Sequence, residues 1–131
     1  MKVLITDDSA FSRLILKGML KDLQITDFIE APNADAALEA ALNCSPDLIL
    51  LDIHMPGMDG LSALQKLKDD PQTASVPVIM ISSDATPEQM SWADVLGAAA
   101  YIRKPFRVEL LRQAVVKATG ADETVRLVPA G

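Results

Sequence analysis

The sequence has few of the features on which several classes of protein depend. It contains a single cysteine, Cys44, which excludes an internal disulfide and is compatible with a reducing compartment. Its longest unbroken aliphatic runs are only of the size of LILL at residues 48–51, which is too short for a membrane-spanning helix. The N-terminus has no apolar run of signal-peptide length. We therefore expect a cytoplasmic protein with no membrane contact.

Positively charged residues are also scarce, and two common nucleotide-binding patterns are absent. The chain has 12 lysines and arginines against 18 aspartates and glutamates, for a net charge of -6. An acidic chain is poorly suited to bind nucleic acid, which attracts basic surfaces. Neither the phosphate-binding loop G-x-x-x-x-G-K-[ST] nor the dinucleotide-binding pattern G-x-G-x-x-G occurs in the sequence.

What the sequence does have is a regular alternation of two periodicities. With 131 residues, half of them hydrophobic, the chain can build the core of one domain. Short apolar runs of strand type alternate with segments of helical periodicity, which predicts an α/β fold with a doubly wound parallel sheet. We expect one domain at residues 1–120 and a tail at 121–131. The predicted strands are at residues 2–6, 27–31, 47–51, 76–82 and 99–103.

Two of the predicted helices carry specific expectations. The apolar side chains of the first helix should face the core along one stripe, while its basic residues lie on another face. In the fourth helix Trp92 falls beside the apolar stripe, so it either packs at the helix edge or marks a docking surface for a partner. The predicted stripe of the first helix consists of Phe11, Leu14, Ile15, Gly18, Met19 and Leu23.

Polar residues follow four of the five predicted strands. Because the carboxyl ends of parallel strands share one edge of the sheet, we expect these side chains to meet there. Clustered carboxylates repel each other, and a divalent cation removes that conflict. Oxygen ligands without a histidine or cysteine cluster favour Mg²⁺, Mn²⁺ or Ca²⁺, and a lysine and a hydroxyl beside them suit a phosphoryl group. The residues are Asp7, Asp8, Asp52, Ser82 and Lys104.

Four segments, each at a strand end, make the chain resemble a known family. It is similar to the receiver domain of two-component response regulators, of the single-domain chemotaxis type. The resemblance implies a flavodoxin-like (βα)5 fold with strand order 2-1-3-4-5. The segments are DDS at 7–9 with Arg13, LLDIHMPGMDG at 50–60, VIMISS at 78–83 and GAAAYIRKPF at 97–106.

The resemblance also implies a phosphoacceptor and a metal site. Asp52 matches the aspartate that receives the phosphoryl group in this family. Asp7 and Asp8 match the acidic pair that binds Mg²⁺ or Mn²⁺ together with Asp52, and the backbone carbonyl of His54 matches a further ligand. The histidine side chain itself is expected to be a solvent-facing loop residue.

The remaining matched positions imply contact with the phosphoryl group and a conformational switch. Lys104 matches the lysine that contacts the phosphoryl group, with a cis peptide bond to Pro105. Ser82 matches the switch hydroxyl, and Tyr101 matches the aromatic residue that changes rotamer with it. The face formed by helix four, strand five and helix five would then alter its binding to a partner.

The resemblance implies a signalling protein rather than an enzyme. Its expected partners are a sensor histidine kinase or a histidine phosphotransfer protein, and a downstream target protein; a phosphorylation-dependent homodimer stays open. Two alternatives remain. A phosphohydrolase of the haloacid dehalogenase type also uses an aspartate at a strand end, but that family has D-x-D where this chain has His54. The other alternative is a binding module that no longer accepts phosphate.

Overall fold

Five β-α units follow each other along the chain in the computed structural model, which describes residues 1–84 and 86–120. The tail predicted at 121–131 lies outside the described residues and stays a prediction. No helix in the described part is long and apolar enough to cross a membrane. The strands are β1 Lys2–Thr6, β2 Asp27–Ala31, β3 Leu48–Asp52, β4 Val78–Ser82 and β5 Ala100–Arg103. The helices are α1 Ala10–Asp22, α2 Ala34–Cys44, α3 Gly60–Asp69, α4 Pro87–Val95 and α5 Val108–Thr119.

The strands form one parallel sheet in the order β2-β1-β3-β4-β5, which confirms the predicted fold class. Apolar side chains of the sheet enter two cores, one under α2, α3 and α4 and the other under α1 and α5. Every residue of β3 and β4 is buried, as expected for central strands covered on both faces. The register places Asp52 beside Ile81 of β4, and Ser82 beside Arg103 of β5.

The bounds of three strands differ slightly from the prediction. β3 begins one residue later than predicted and runs through Asp52, because Asp52 still pairs with β4. β4 begins at Val78 rather than at residue 76, after Pro77, whose nitrogen has no hydrogen to donate to the sheet. β5 begins at Ala100 rather than at residue 99. Apolar composition locates a buried strand, but pairing with its neighbours decides where it ends.

The predicted core stripe of α1 is largely wrong. The residues that α1 and its C-terminal end bury are Leu16, Leu20 and Leu23, with Met19 packed against them; of these, only Met19 and Leu23 were predicted. The helix carries two apolar stripes, and its periodicity does not tell which of them faces the sheet and α5. Three members of the predicted stripe are exposed instead: Phe11, Leu14 and Ile15, by 70%, 60% and 44%.

Gly60 allows the loop after β3 to turn back tightly against the end of that strand. A Cβ atom at Gly60 would lie 2.2 Å from the backbone oxygen of Asp52 and 2.7 Å from the Cα atom of Ile53. The Gly60 N–H donates to the carbonyl oxygen of Ile53 at 2.8 Å, which holds this close approach. The first residue of α3 is therefore packed directly against the backbone of Asp52.

Replacing Gly60 by alanine is expected to lower the free energy of unfolding by about 3 kcal/mol, because backbone atoms must move to admit the methyl group. Urea denaturation followed by circular dichroism measures this loss. Gly18→Ala is the matched control, since a Cβ atom there meets nothing within 4 Å and Gly18 lies inside α1. That variant should gain about 0.5 to 1 kcal/mol from helix propensity. Equal effects of the two substitutions would contradict the close-approach argument.

Candidate functional site

Asp52 lies at the carboxyl end of the central strand β3 and is 7% exposed. Its Oδ1 atom accepts a hydrogen bond from the backbone N–H of His54 at 3.0 Å. Its Oδ2 atom accepts from the ammonium group of Lys104 at 3.1 Å. Both carboxylate oxygens are thus partnered, one by the following loop and one by a side chain 52 residues away along the chain.

Lys104 links the ends of four strands. It follows β5, and its Nζ atom donates to Asp7 Oδ2 at 2.8 Å as well as to Asp52 Oδ2. Its backbone N–H donates to the carbonyl oxygen of Ser82 at 2.8 Å, which ties the residue to the end of β4. The peptide bond between Lys104 and Pro105 is cis, as the resemblance implied.

The acidic residues meet as the sequence predicted. One carboxylate oxygen from each of Asp7, Asp8 and Asp52 lies within 4.8 Å of the other two. Asp7 is buried and its Oδ1 atom accepts from the N–H of Ser9 at 2.9 Å, while Asp8 is exposed. Opposite ligand oxygens lie about 5 Å apart on a Ca²⁺ ion and about 4 Å apart on a Mg²⁺ ion, so small side-chain adjustments bring this compact all-oxygen cluster to the geometry of either cation.

Burial and neighbouring charges set the protonation of Asp52 and Lys104. Burial raises the pKa of Asp52 above its ordinary value of 3.8, helped by the negative charge of Asp7. The charge and hydrogen bond of Lys104 and the N–H of His54 act in the opposite direction without cancelling that effect. For Lys104, burial alone would lower the pKa, but its bonds to Asp7 and Asp52 outweigh burial and raise the pKa. The ammonium therefore stays charged between the two carboxylates.

Ser82 and Tyr101 are joined through the backbone of one residue, Asp84. Ser82 is fully buried, and its Oγ atom accepts from the N–H of Asp84 at 3.0 Å. The hydroxyl of Tyr101 donates to the carbonyl oxygen of Asp84 at 2.9 Å and lies 3.4 Å from Gln89 Oε1 on α4. The loop between β4 and α4 thus connects the end of β4, the ring on β5 and the first turn of α4.

Two further residues singled out in the sequence lie toward solvent. The side chain of His54 is about half exposed, and its Nε2 atom is 3.4 Å from Asp84 Oδ2. Trp92 is 55% exposed on α4, and it lines a shallow groove with Val95, which is also exposed. The fold therefore leaves about half of the side chain uncovered, and the docking interpretation of Trp92 stays a prediction.

Sequence reasoning missed two residues that shape the site. Gly60, which the sequence analysis included only as the end of the segment at 50–60, packs against the backbone of Asp52. Arg13 was noted only as part of a motif, yet its Nη1 atom donates to the carbonyl oxygen of Asp7 at 2.6 Å. Both act on backbone atoms, for which the sequence carries no local signal.

Asp52→Asn is expected to stabilise the metal-free protein at pH 7, because the amide cannot carry the buried charge. A raised carboxyl pKa means that the folded state binds more protons than the unfolded state above pH 3.8, so wild-type stability falls as pH rises through that window. The advantage of the variant should shrink as pH falls through the pKa of Asp52. Thermal melts in EDTA at several pH values measure it. Asp59→Asn, which keeps the side-chain cap of α3, is the control for the same chemical change outside the buried site.

Comparison with known proteins agrees with this architecture. A family model described as the response regulator receiver domain matches residues 3–116. Chemotaxis protein CheY of Pseudomonas aeruginosa is 33% identical over 117 residues, which cover 89% of this chain and 94% of that protein. Chemotaxis protein CheY of Bacillus subtilis is 35% identical over 116 residues, which cover 88% of this chain and 95% of that protein.

Solved structures show the same likeness. The structure of chemotaxis protein CheY4 of Vibrio cholerae has a TM-score of 0.82 at 27% identity, and covers 89% of this chain and 97% of the CheY4 chain. A CheY-like receiver domain from Methanospirillum hungatei also has a TM-score of 0.82, at 26% identity. The chain therefore belongs to the receiver-domain family of response regulators, the signalling proteins of two-component systems.

Proposed function

We propose that this receiver accepts a phosphoryl group on Asp52 from a phosphohistidine of a sensor kinase or of a phosphotransfer protein. The observation that carries the proposal is the position of the Lys104 ammonium, within hydrogen-bond distance of both Asp52 and Asp7. A carboxylate that is buried, yet held beside a fixed positive charge at the sheet edge, is suited to act as a nucleophile toward phosphorus.

The transfer requires Asp52 in its ionised form. One carboxylate oxygen forms the new P–O bond, the P–N bond to the donor histidine breaks, and the histidine nitrogen keeps that electron pair. Lys104 favours the ionised carboxylate before transfer and pairs with the phosphoryl oxygens afterwards. The N–H of His54, which bonds to Asp52 Oδ1, keeps the acceptor group from rotating.

A divalent cation completes the site in this proposal. Asp7, Asp8 and Asp52, with the backbone carbonyl of His54, would hold Mg²⁺ or Mn²⁺. When bound, the cation supplies positive charge that offsets the charge on the phosphoryl oxygens.

The contacts of Asp84 support a route from the phosphoryl site to the surface. When Ser82 donates to a phosphoryl oxygen, the backbone of Asp84, bonded to Ser82 and to Tyr101, shifts with it. The ring of Tyr101 then changes its position between β5 and α4, and the face of α4, β5 and α5 changes its affinity for a target protein. The exposed Trp92 suits an anchor in that contact.

Membership of the receiver family argues against the alternative of a haloacid dehalogenase-type enzyme. The second alternative, a receiver that no longer takes phosphate, makes the opposite prediction in a direct experiment.

Incubation with Mg²⁺ and acetyl phosphate is expected to add one phosphoryl group, detected by mass spectrometry and removed by hydroxylamine, because an acyl phosphate reacts with that amine. Asp52→Asn should abolish the adduct. Asp59→Asn, the same substitution at an exposed aspartate nearby, should leave it unchanged. An adduct that persists in Asp52→Asn would refute the assignment of the acceptor, and no adduct in the wild type would favour the inactive module.

The switch can be followed at a single nucleus, because the chain has one tyrosine. With 3-fluorotyrosine incorporated, phosphorylation should shift the ¹⁹F resonance of Tyr101. In Ser82→Ala the adduct should still form but the shift should be much smaller, since the hydroxyl that links the phosphoryl group to Asp84 is gone. Ser83→Ala, at the exposed neighbouring position, should respond as the wild type does. Equal shifts in all three proteins would exclude Ser82 as the link.

A further inference from the structure

Arg13 joins three elements near the acidic pair. Its Nη1 atom donates to the carbonyl oxygen of Asp7 at 2.6 Å, and its Nε atom donates to Glu30 Oε1 at 3.0 Å. The side chain starts on α1, reaches β2 through Glu30 and ends at the loop after β1, and it is only 16% exposed. Two contacts in different directions from one planar group fix where that group points.

Glu30 is the carboxylate that pairs with the guanidinium of Arg13. Its second oxygen, Oε2, also pairs with Lys17 at 3.0 Å. The hydrogen bond from Lys17 and that from Arg13 lower the pKa of Glu30, so this carboxylate stays ionised beside the guanidinium. What Arg13 then adds to the site is a directed hydrogen bond more than a free positive charge.

The carbonyl that Arg13 contacts belongs to the peptide bond between Asp7 and Asp8. A peptide unit is planar, so holding its oxygen fixes the direction in which the chain leaves Asp7 and enters Asp8. The N–H of Asp7 is also held, since it donates to the carbonyl oxygen of Ala31 at 3.1 Å. The buried Asp7 side chain is fixed by Ser9 and Lys104. Asp8, which is exposed, is held through this peptide and through the next one, whose Ser9 N–H donates to Asp7 Oδ1.

We propose that Arg13 is a positioning residue for divalent cation binding. It holds the peptide bond between Asp7 and Asp8 so that both carboxylates face one ion before the ion arrives. The inference rests on the proposed function, because it concerns the metal site of that function. Outer groups that orient metal ligands commonly change affinity about 10-fold or more.

Orientation and charge make opposite predictions for the loss of Arg13. If Arg13 acts by its charge, removing it makes the site more negative and tightens cation binding. If it acts by orientation, removal frees the peptide and weakens binding. Arg13→Lys keeps the charge but replaces the rigid planar group, whose Nε and Nη1 atoms point to the two acceptors, with a single ammonium on a flexible chain. Lys17→Met removes a positive charge from the same Glu30 without touching Asp7.

The test is the affinity of the metal-free full chain for Mg²⁺, measured by isothermal titration calorimetry. We expect Arg13→Met and Arg13→Lys to bind Mg²⁺ about 10-fold more weakly than the wild type, and Lys17→Met to stay within about 2-fold. Wild-type affinity in Arg13→Lys would overturn the proposal, as would tighter binding in both Arg13→Met and Lys17→Met.

Folding is checked by the melting temperature of each variant. If Arg13→Lys does not fold, the decisive protein is the double variant Glu30→Met with Lys17→Met, which leaves the net charge unchanged but removes the oxygen that accepts from the Arg13 Nε atom. It should bind Mg²⁺ a few-fold more weakly, and unchanged binding would overturn the proposal.

Phosphorylation gives a second readout. With acetyl phosphate as donor, Arg13→Lys should need about 10-fold more Mg²⁺ for half the maximal rate but should reach the wild-type rate at saturation. A lower maximal rate with unchanged Mg²⁺ dependence would contradict a role in ion binding. If the wild type itself binds no Mg²⁺, the metal site of the proposed function is refuted. If the wild type and the variants bind Mg²⁺ equally well, only the role of Arg13 is refuted.

Discussion

The site depends on one interaction, the pairing of the Lys104 ammonium group with the carboxylates of Asp7 and Asp52. Two buried carboxylates at neighbouring strand ends repel each other and lose hydration, so they need a positive charge close by. The strand order places β5 at the edge of the sheet, beyond β4, and the long lysine side chain reaches back to β3 and β1. Because the raised pKa of Asp52 shows that burial is not fully offset, the site is suited to accept further positive charge.

Backbone contacts, more than side-chain contacts, hold the other parts of this site in place. Gly60 packs against the carbonyl of Asp52, Arg13 holds the carbonyl of Asp7, and Asp84 links Ser82 to Tyr101 through its N–H and its carbonyl. A change at the acceptor can therefore move loops rather than single side chains, and the loop after β4 leads directly into α4. In the proposed function, these contacts would carry a change at Asp52 through the loop after β4 toward α4.

Much of this organisation could be predicted from the sequence because the signals are local. The alternation of apolar strands with helical segments predicted the parallel sheet, and the polar residues at the ends of the strands predicted the edge at which those groups meet. The orientation of α1 could not be predicted in this way. Phe11 and Leu16 both lie on apolar stripes, and only packing against the sheet and α5 selects the stripe that is buried.

The sequence by itself determined the element order, the residues delivered to the carboxyl edge of the sheet and, through its motifs, the family. Only the tertiary structure decided which atoms meet there. Lys104 lies 97 residues from Asp7 and 52 from Asp52, and no local pattern states that its ammonium bonds to both. The same holds for Arg13 and Gly60, whose partners are backbone atoms. Backbone atoms are the same at every residue, so the sequence carries no signal for such contacts until the fold brings them together.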